Sequence, residues 1–261
     1  QVGHIKIPQK MYVENTVMQN FKSAGYKIIN IQRPFPFIVS SSLFDSVMCE
    51  RNKYIDSQLF SMTIKTSILV FLLEKWEEHE LREAALCNFA ELSKQKQKFN
   101  EPIFVFSHIL VPHPPYLFGS EGEPVSSVRP QGLESWQNKD GYINSVKFAN
   151  NKIMQVIDEL LTDPENPPVI IIQADHGYGF DIDTSNPSKE NLEQKMSIFS
   201  AYYLPGTEEN LSDNVITPVN TFRIIFNSYF NTDYDLLENK IYLIDDYDAS
   251  YVDVTNILTS P

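Results

Sequence analysis

A chain of 261 residues, 42% hydrophobic, 12% aromatic and 21% charged, can bury a substantial core, which excludes an intrinsically disordered polymer. Its 21 basic against 34 acidic residues leave a formal charge of −13 without a dense Lys/Arg run, a balance that repels a phosphate backbone and excludes a nucleic-acid partner of the usual electrostatic kind. An anionic substrate would need local neutralisation, and a bound cation is a compact way to supply it.

In chain order, "MYVENTVMQNFKSAGYKIINI" predicts a helix from Val13 to Ala24, with Val17, Met18 and Phe21 on its apolar face and Gly25 as its stop. "YKIINI" then reads as a strand, and "QRPFPFIVSSS" as a proline-broken loop with an extended piece. From Ser57 to Gln97 the pattern is mainly helical, amphipathic through Leu81, Ala85, Phe89 and Leu92. "PIFVFSHILVPHPPY" is a buried-type strand that runs into three prolines around one histidine, and residues 119–140 carry the turn formers of a long surface loop. A helix follows from Asp140, as its cap, to Leu161, before "PPVIIIQADHGYG" supplies a strand of apolar β-branched residues that ends in an Asp-His pair and two glycines. A polar loop to Glu193, a strand in "SIFSAYYLPG", a helix from near Pro218 and an acidic tail of short extended segments complete the chain.

Strands alternating with helices argue for an α/β fold with a largely parallel sheet, and residues 1–261 are read as a single domain. In such sheets ligands bind outside the carboxyl ends of the strands. Pro112–Tyr116 and Asp175–Tyr178 both lie at predicted strand ends, which makes them the site candidates. Carboxylate and neutral imidazole are good ligands for divalent ions, so Asp175 and His176 are a candidate metal pair; alternatively Asp175 caps a following helix and His176 hydrogen-bonds it. Gly177 and Gly179 would permit the turn that joint ligation needs. His113, stiffened by prolines on both sides, either holds an anionic oxygen as an imidazolium or packs on Tyr116. His108, inside the strand, reads as a core histidine, and His4 and His79 as incidental.

Cys49 and Cys87 have neither CxxC nor Cys/His finger spacing, so they are core thiols or, in an oxidising compartment, one bridge. No apolar run reaches the roughly 18 residues of a membrane span, and "QVGHIKIPQK" lacks a signal peptide's pattern, which leaves a cytosolic chain or a piece of a longer one. No GxGxxG, P-loop, GxSxG or HExxH string occurs, and the acidic clusters "FDIDT" and "DDYDASYVD" lack the glycine and glutamate of a calcium loop. "NLS" at Asn210 fits a glycosylation acceptor.

Taken in order, "FVFSHILVPHPPY", "YINSVKFANNKIMQVIDELL", "VIIIQADHGYG", "SIFSAYYLPG" and "TPVNTFRIIFNSYF" resemble the carboxyl-terminal part of sulfatase-like proteins of the alkaline phosphatase superfamily. The similarity is greatest to their membrane-attached, phosphoglycerol-transferase or lipoteichoic-acid-synthase-like branch, and its first part reaches "FKSAGYKI". The resemblance implies a three-layer fold with a largely parallel central sheet flanked by helices, truncated at its N-terminus. It implies a divalent metal (Mn, Zn, Mg or Ca) on Asp175 and His176, and a substrate phosphate or sulfate on His113. In the family, the metal acidifies a nucleophilic Thr, Ser or modified Cys and neutralises the ester anion.

The chain departs from the family at the nucleophile. No strand ending in an acidic ligand precedes "FKSAGYKI", neither cysteine lies in a Cys-x-Pro/Ala-x-Arg setting, and Thr63 and Thr66 come after that step. The expectation is a hydrolase or transferase of phosphate or sulfate esters, extracytoplasmic, attached to a membrane only through segments absent from this chain, and inactive in this form. The alternative is a non-catalytic binding domain on the same fold.

Overall fold

The computed structural model describes residues 15–31, 41–49, 70–126, 137–178, 187–207, 217–244 and 251–259, with side chains in the long helix from residue 75. They fall into two compact units that divide between Pro164 and Glu165.

In the first unit, helix α1 (Thr16–Ser23) begins where the Asn15 side chain accepts from the Val17 and Met18 amides at 2.9 and 3.2 Å. That cap sets the start at Thr16 rather than Val13, and the chain leaves through Gly25 at φ +86°, a backbone glycine tolerates without strain. Strand β1 (Lys27–Ile31) is central, with parallel neighbours β2 (Ser46–Met48) and β3 (Ile103–Ser107) on either side. Ile29 pairs with Ser46 in one and Val105 in the other. Ile28, Ile29 and Ile31 are fully buried, as a strand covered on both faces requires. Phe21 of α1 stacks on Phe104 of β3 at 4.4 Å, which closes the helix onto the sheet.

Helix α2 (Val70–Leu92) lies within the stretch expected to be helical, and residues 57–69 lie outside the described residues. Its apolar stripe delivers Ala85 and Phe89 to a cluster with Leu117, Phe118 and Phe148, the last from helix α3 (Lys139–Leu160). Phe118 and Phe148 stack at 4.1 Å. Cys49 and Cys87 form a disulfide that ties the end of β2 to α2. One boundary differs from the sequence reading. The cap of α3 is Asn138, whose side chain accepts from the Gly141 amide at 2.9 Å, so Asp140 sits in the first turn. Leu117 and Phe118, just before the loop expected over 119–140, are buried, Phe118 bridges to Pro124, and residues 127–136 lie outside the described residues.

In the second unit, β4 (Ile170–Gln173) pairs antiparallel with β5 (Ser200–Tyr203), Ile170 opposite Tyr203 and Gln173 opposite Ser200. The β-branched run is half-buried here, unlike the fully buried β1. The polar stretch expected to be loop contains helix α4 (Lys189–Met196), capped by Ser188, whose hydroxyl accepts from Asn191. Its single buried residue, Leu192, packs with Leu243 and Val254. Pro218 opens a short turn that leads into helix α5 (Thr221–Phe230), close to the expected start. The tail forms a hairpin, β6 (Tyr242–Ile244) with β7 (Tyr251–Asp253), and a short helix α6 (Thr255–Thr259). The class is the mixed α/β one that the sequence implied, with a parallel three-stranded sheet flanked by helices.

Candidate functional site

The first candidate grows out of β3. Its last residue, Ser107, donates to the Ile31 carbonyl at 3.0 Å and fixes the strand end against β1. His108 is exposed rather than buried in the core, because the chain leaves the sheet at that point. Its carbonyl accepts from Asn88 Nδ2 of α2 at 3.1 Å. Val111–Pro112 and Pro114–Pro115 are cis peptides. Between them His113 is exposed, its amide donating to the Leu110 carbonyl at 2.6 Å. His113 Nδ1 lies 2.5 Å from the Pro114 carbonyl. A carbonyl only accepts, so Nδ1 carries the hydrogen, and Nε2 can donate to an anionic oxygen only in the imidazolium. Tyr116 is buried and meets Tyr142 edge-on at 6.3 Å. Beside His113 opens a cleft between α2, residues 108–118 and α3, to which Asn88 and Ser145 contribute.

The second candidate is the end of β4. The Ala174 amide still bonds to the β5 side, donating to Phe199 O at 2.8 Å, and pairing then stops. Asp175 Oδ1 accepts from the His176 amide at 3.0 Å, a local turn and not a helix cap; the next helix has Ser188 for that role. His176 Nδ1 bonds to the Gly177 carbonyl at 2.8 Å, which by the same argument puts the hydrogen on Nδ1. Nε2 faces the Asp175 carboxylate at 3.9 Å from Oδ2, and the side chains of Asp175 and His176 are 87% and 42% exposed. Two ligands bound at about 2.1 Å to one ion lie at most about 4.2 Å apart, so this spacing fits a shared cation, and the neutral tautomer is the ligating one.

Gly177 has a different reason from the one its sequence suggests. Its backbone is not in the left-handed region, but a Cβ there would stand 2.1 Å from Gln194 O, 2.8 Å from Ser197 O and 3.1 Å from Lys195 O. Its amide donates to Lys195 O at 2.6 Å. The carboxyl end of α4 therefore holds the Asp-His turn, and only glycine admits that approach. Gly179 lies outside the described residues, as do Thr63, Thr66, Asn210, His4 and "FDIDT".

Among the described residues no group of three or more His, Cys, Asp and Glu side chains is placed to hold a metal, so Asp175 and His176 stand as a pair. His79 lies exposed on α2, 4.0 Å from Glu83. Charge is organised more tightly at structural positions. Burial pushes the Asp45 carboxyl up, but hydrogen bonds from the Ile28 amide and Lys22 outweigh it and hold it below its ordinary value. Sequence reading missed Asn88, although its position on the stripe of Leu81, Ala84 and Ala85 carries a signal: a carboxamide on a helix's apolar face needs partners.

One comparison with known proteins covers these residues. The family model described as Sulfatase matches residues 1–222. No curated protein matches the chain. Among solved structures, the crystal structure of Ps i-CgsB is 13% identical, with a TM-score of 0.41 over 73% of this chain and 47% of that one. The chain thus spans about half the length of that neighbour.

Proposed function

This chain belongs to the sulfatase family, and from that premise we propose a metal-dependent hydrolase or transferase domain for phosphate or sulfate esters. The reading takes residues 1–261 as part of one such domain, and the order of motifs favours the phosphoglycerol-transferase-like branch. The observation that carries it is the Asp175–His176 pair: a carboxylate oxygen and an imidazole Nε2 lie 3.9 Å apart, with the tautomer fixed by Gly177.

A divalent ion, Mn, Zn, Mg or Ca, supplies neutralisation of the ester anion and acidification of a nucleophile when bound. Asp175 Oδ2 and His176 Nε2 bind it, and the Gly177 carbonyl keeps the imidazole in its ligating tautomer. His113, as the imidazolium, donates from Nε2 to an anionic oxygen while Pro114 anchors its other nitrogen. The nucleophile is not assigned to any residue of this chain.

The Cys49–Cys87 bridge supports an extracytoplasmic setting, since such bonds persist where the surroundings oxidise. No described helix is long and apolar enough to cross a membrane.

Titration calorimetry with Mn and with Zn tests the reading. We expect one divalent ion to bind the wild type and Asp175→Ala to weaken it by at least roughly tenfold. Equal affinity in the two proteins, or no uptake by the wild type, would remove the pair from the site.

A further inference from the structure

Every residue of segment 233–238, "DYDLLE", is exposed, although its backbone is tied down. Asn231 ends α5 at φ +59°, a left-handed conformation that asparagine tolerates, and turns the chain back along the helix. Asn227 of α5 then accepts from the Tyr234 amide at 2.8 Å and donates to the Tyr234 carbonyl at 2.9 Å. Asn220, at the head of α5, does the same for Leu237, both bonds at 2.8 Å. Between them Arg223 Nη1 donates to the Asp235 carbonyl at 2.9 Å, with its guanidinium 6.0 Å from the Tyr234 ring centre. Asn220 and Asn227 stand about 10 Å apart along a helix axis, which is the full reach of an extended chain from Tyr234 to Leu237. The helix therefore holds this strap straight by its main chain and leaves its side chains outward.

Tyr234 is engaged, edge-on to Phe226 at 6.2 Å, whereas Leu236 and Leu237 are 49% and 46% exposed. Asp233 and Asp235 precede them, and Glu238, which pairs with Lys240 at 3.3 Å, follows. Two leucines on a backbone that is already ordered cost a partner little further entropy when it buries them. We propose that the strap docks a basic amphipathic helix of another protein, with Leu236 and Leu237 in its apolar stripe and Asp233 and Asp235 facing its lysines or arginines. A strand partner would need main-chain groups that the strap has committed to α5, whereas a helix satisfies its own. The strap's length, about 17 Å, matches roughly three helical turns. The carboxylates set the sign: they repel an anionic membrane, and a second copy would bring the same charges to the contact. This docking is independent of the metal pair and of the ester chemistry.

The probe is the peptide LKKLLKLLKKLLKL, whose helix carries leucine on one face and lysine on the other, read by fluorescence anisotropy of an attached label. Hexalysine has the same lysines without the stripe, and LEELLELLEELLEL has the stripe with the opposite charge. We expect the probe to bind the chain at least roughly tenfold tighter than either control. Leu236→Ser with Leu237→Ser leaves the charge unchanged and should weaken binding at least roughly tenfold. Asp233→Asn with Asp235→Asn should weaken it about threefold and flatten its salt dependence. Leu86→Ser, at a leucine 36% exposed on α2, should leave it unchanged. No binding, equal binding of hexalysine, or either double variant binding as wild type would overturn the proposal. So would binding to phosphatidylglycerol vesicles in place of the peptide, which would make the strap a membrane contact. The aspartate variant keeps both leucines and decides even if the serine variant folds poorly. No metal is added, so this measurement and the calorimetry on Asp175 fail separately.

Discussion

Replacing Gly177 by alanine tests whether the Asp-His turn is held from outside. The added Cβ would lie 2.1 Å from Gln194 O, about 1.3 Å inside the 3.4 Å at which ordinary contact begins, with Ser197 O and Lys195 O also too close. Three backbone carbonyls cannot swing aside as a side-chain end can, so the turn must move. Movement of that size breaks the 2.6 Å hydrogen bond from the Gly177 amide to Lys195 O, worth about 1 kcal/mol. Overpacking adds about 1–3 kcal/mol, so the turn should lose about 2–4 kcal/mol. His176 Nδ1 is anchored on the carbonyl of the same residue, so its Nε2 shifts relative to Asp175. Divalent-metal affinity should fall at least roughly tenfold by calorimetry, and the amides of Asp175 and His176 should exchange faster. Gly206→Ala is the control: its φ is +78° with nothing within 4 Å, so it should cost about 1–2 kcal/mol of strain and leave metal affinity unchanged. A folded Gly177→Ala protein that binds metal within about twofold of wild type would refute the role given to α4.

Three further outcomes follow from the same structure. Asp45→Asn should cost about 1–3 kcal/mol at pH 7 by urea unfolding, because the carboxylate binds the Ile28 amide and Lys22 together. Its folded pKa is depressed, so the contribution is present above the unfolded value and is lost as pH falls through the folded one; the gap to wild type should narrow below about pH 4 and would contradict the assignment if it stayed constant. Reducing Cys49–Cys87, or replacing both by serine, opens a closed loop of 38 residues, for which chain entropy gives roughly 4 kcal/mol, and a loss below about 1 kcal/mol would place that ordering elsewhere. Residues 1–261 alone should turn over neither aryl phosphate nor aryl sulfate with Mn or Zn present; turnover abolished by Thr63→Ala or Thr66→Ala would supply the nucleophile and overturn this.

Where one element carries its own reason to exist, the sequence was a sufficient guide. Ile28 to Ile31 interrupts its apolar run only once, at Asn30, and is the central buried strand; Met18 and Phe21 share a helix face because they lie three apart and Gly25 ends the turn. Valine-to-isoleucine runs are less informative than they look. Ile170–Ile172 resembles β1 in composition yet is half-buried, since burial is set by what covers a strand, and one antiparallel partner is described for β4. Helix α4 was invisible to periodicity for the opposite reason: Leu192 is its single buried residue and Met196 packs only partly against the same cluster, which leaves two apolar residues as its whole inward face. The bridge between Cys49 and Cys87 was open in the sequence because their separation says nothing about the distance between them.

The candidate site shows why local motifs are half-legible. "ADHGYG" announces ligand-type side chains and a turn, since those are properties of the residues themselves. What holds the turn is the carbonyl-rich end of a helix nearly 20 residues further on, in a stretch whose composition reads as loop. The glycine that looked like freedom next to a ligand is a steric requirement imposed by protein backbone. The imidazole tautomer follows from a carbonyl that same glycine supplies. Ligation chemistry is thus written in two adjacent residues, whereas its preorganisation is written in residues 194–197, and only the folded chain brings the two together.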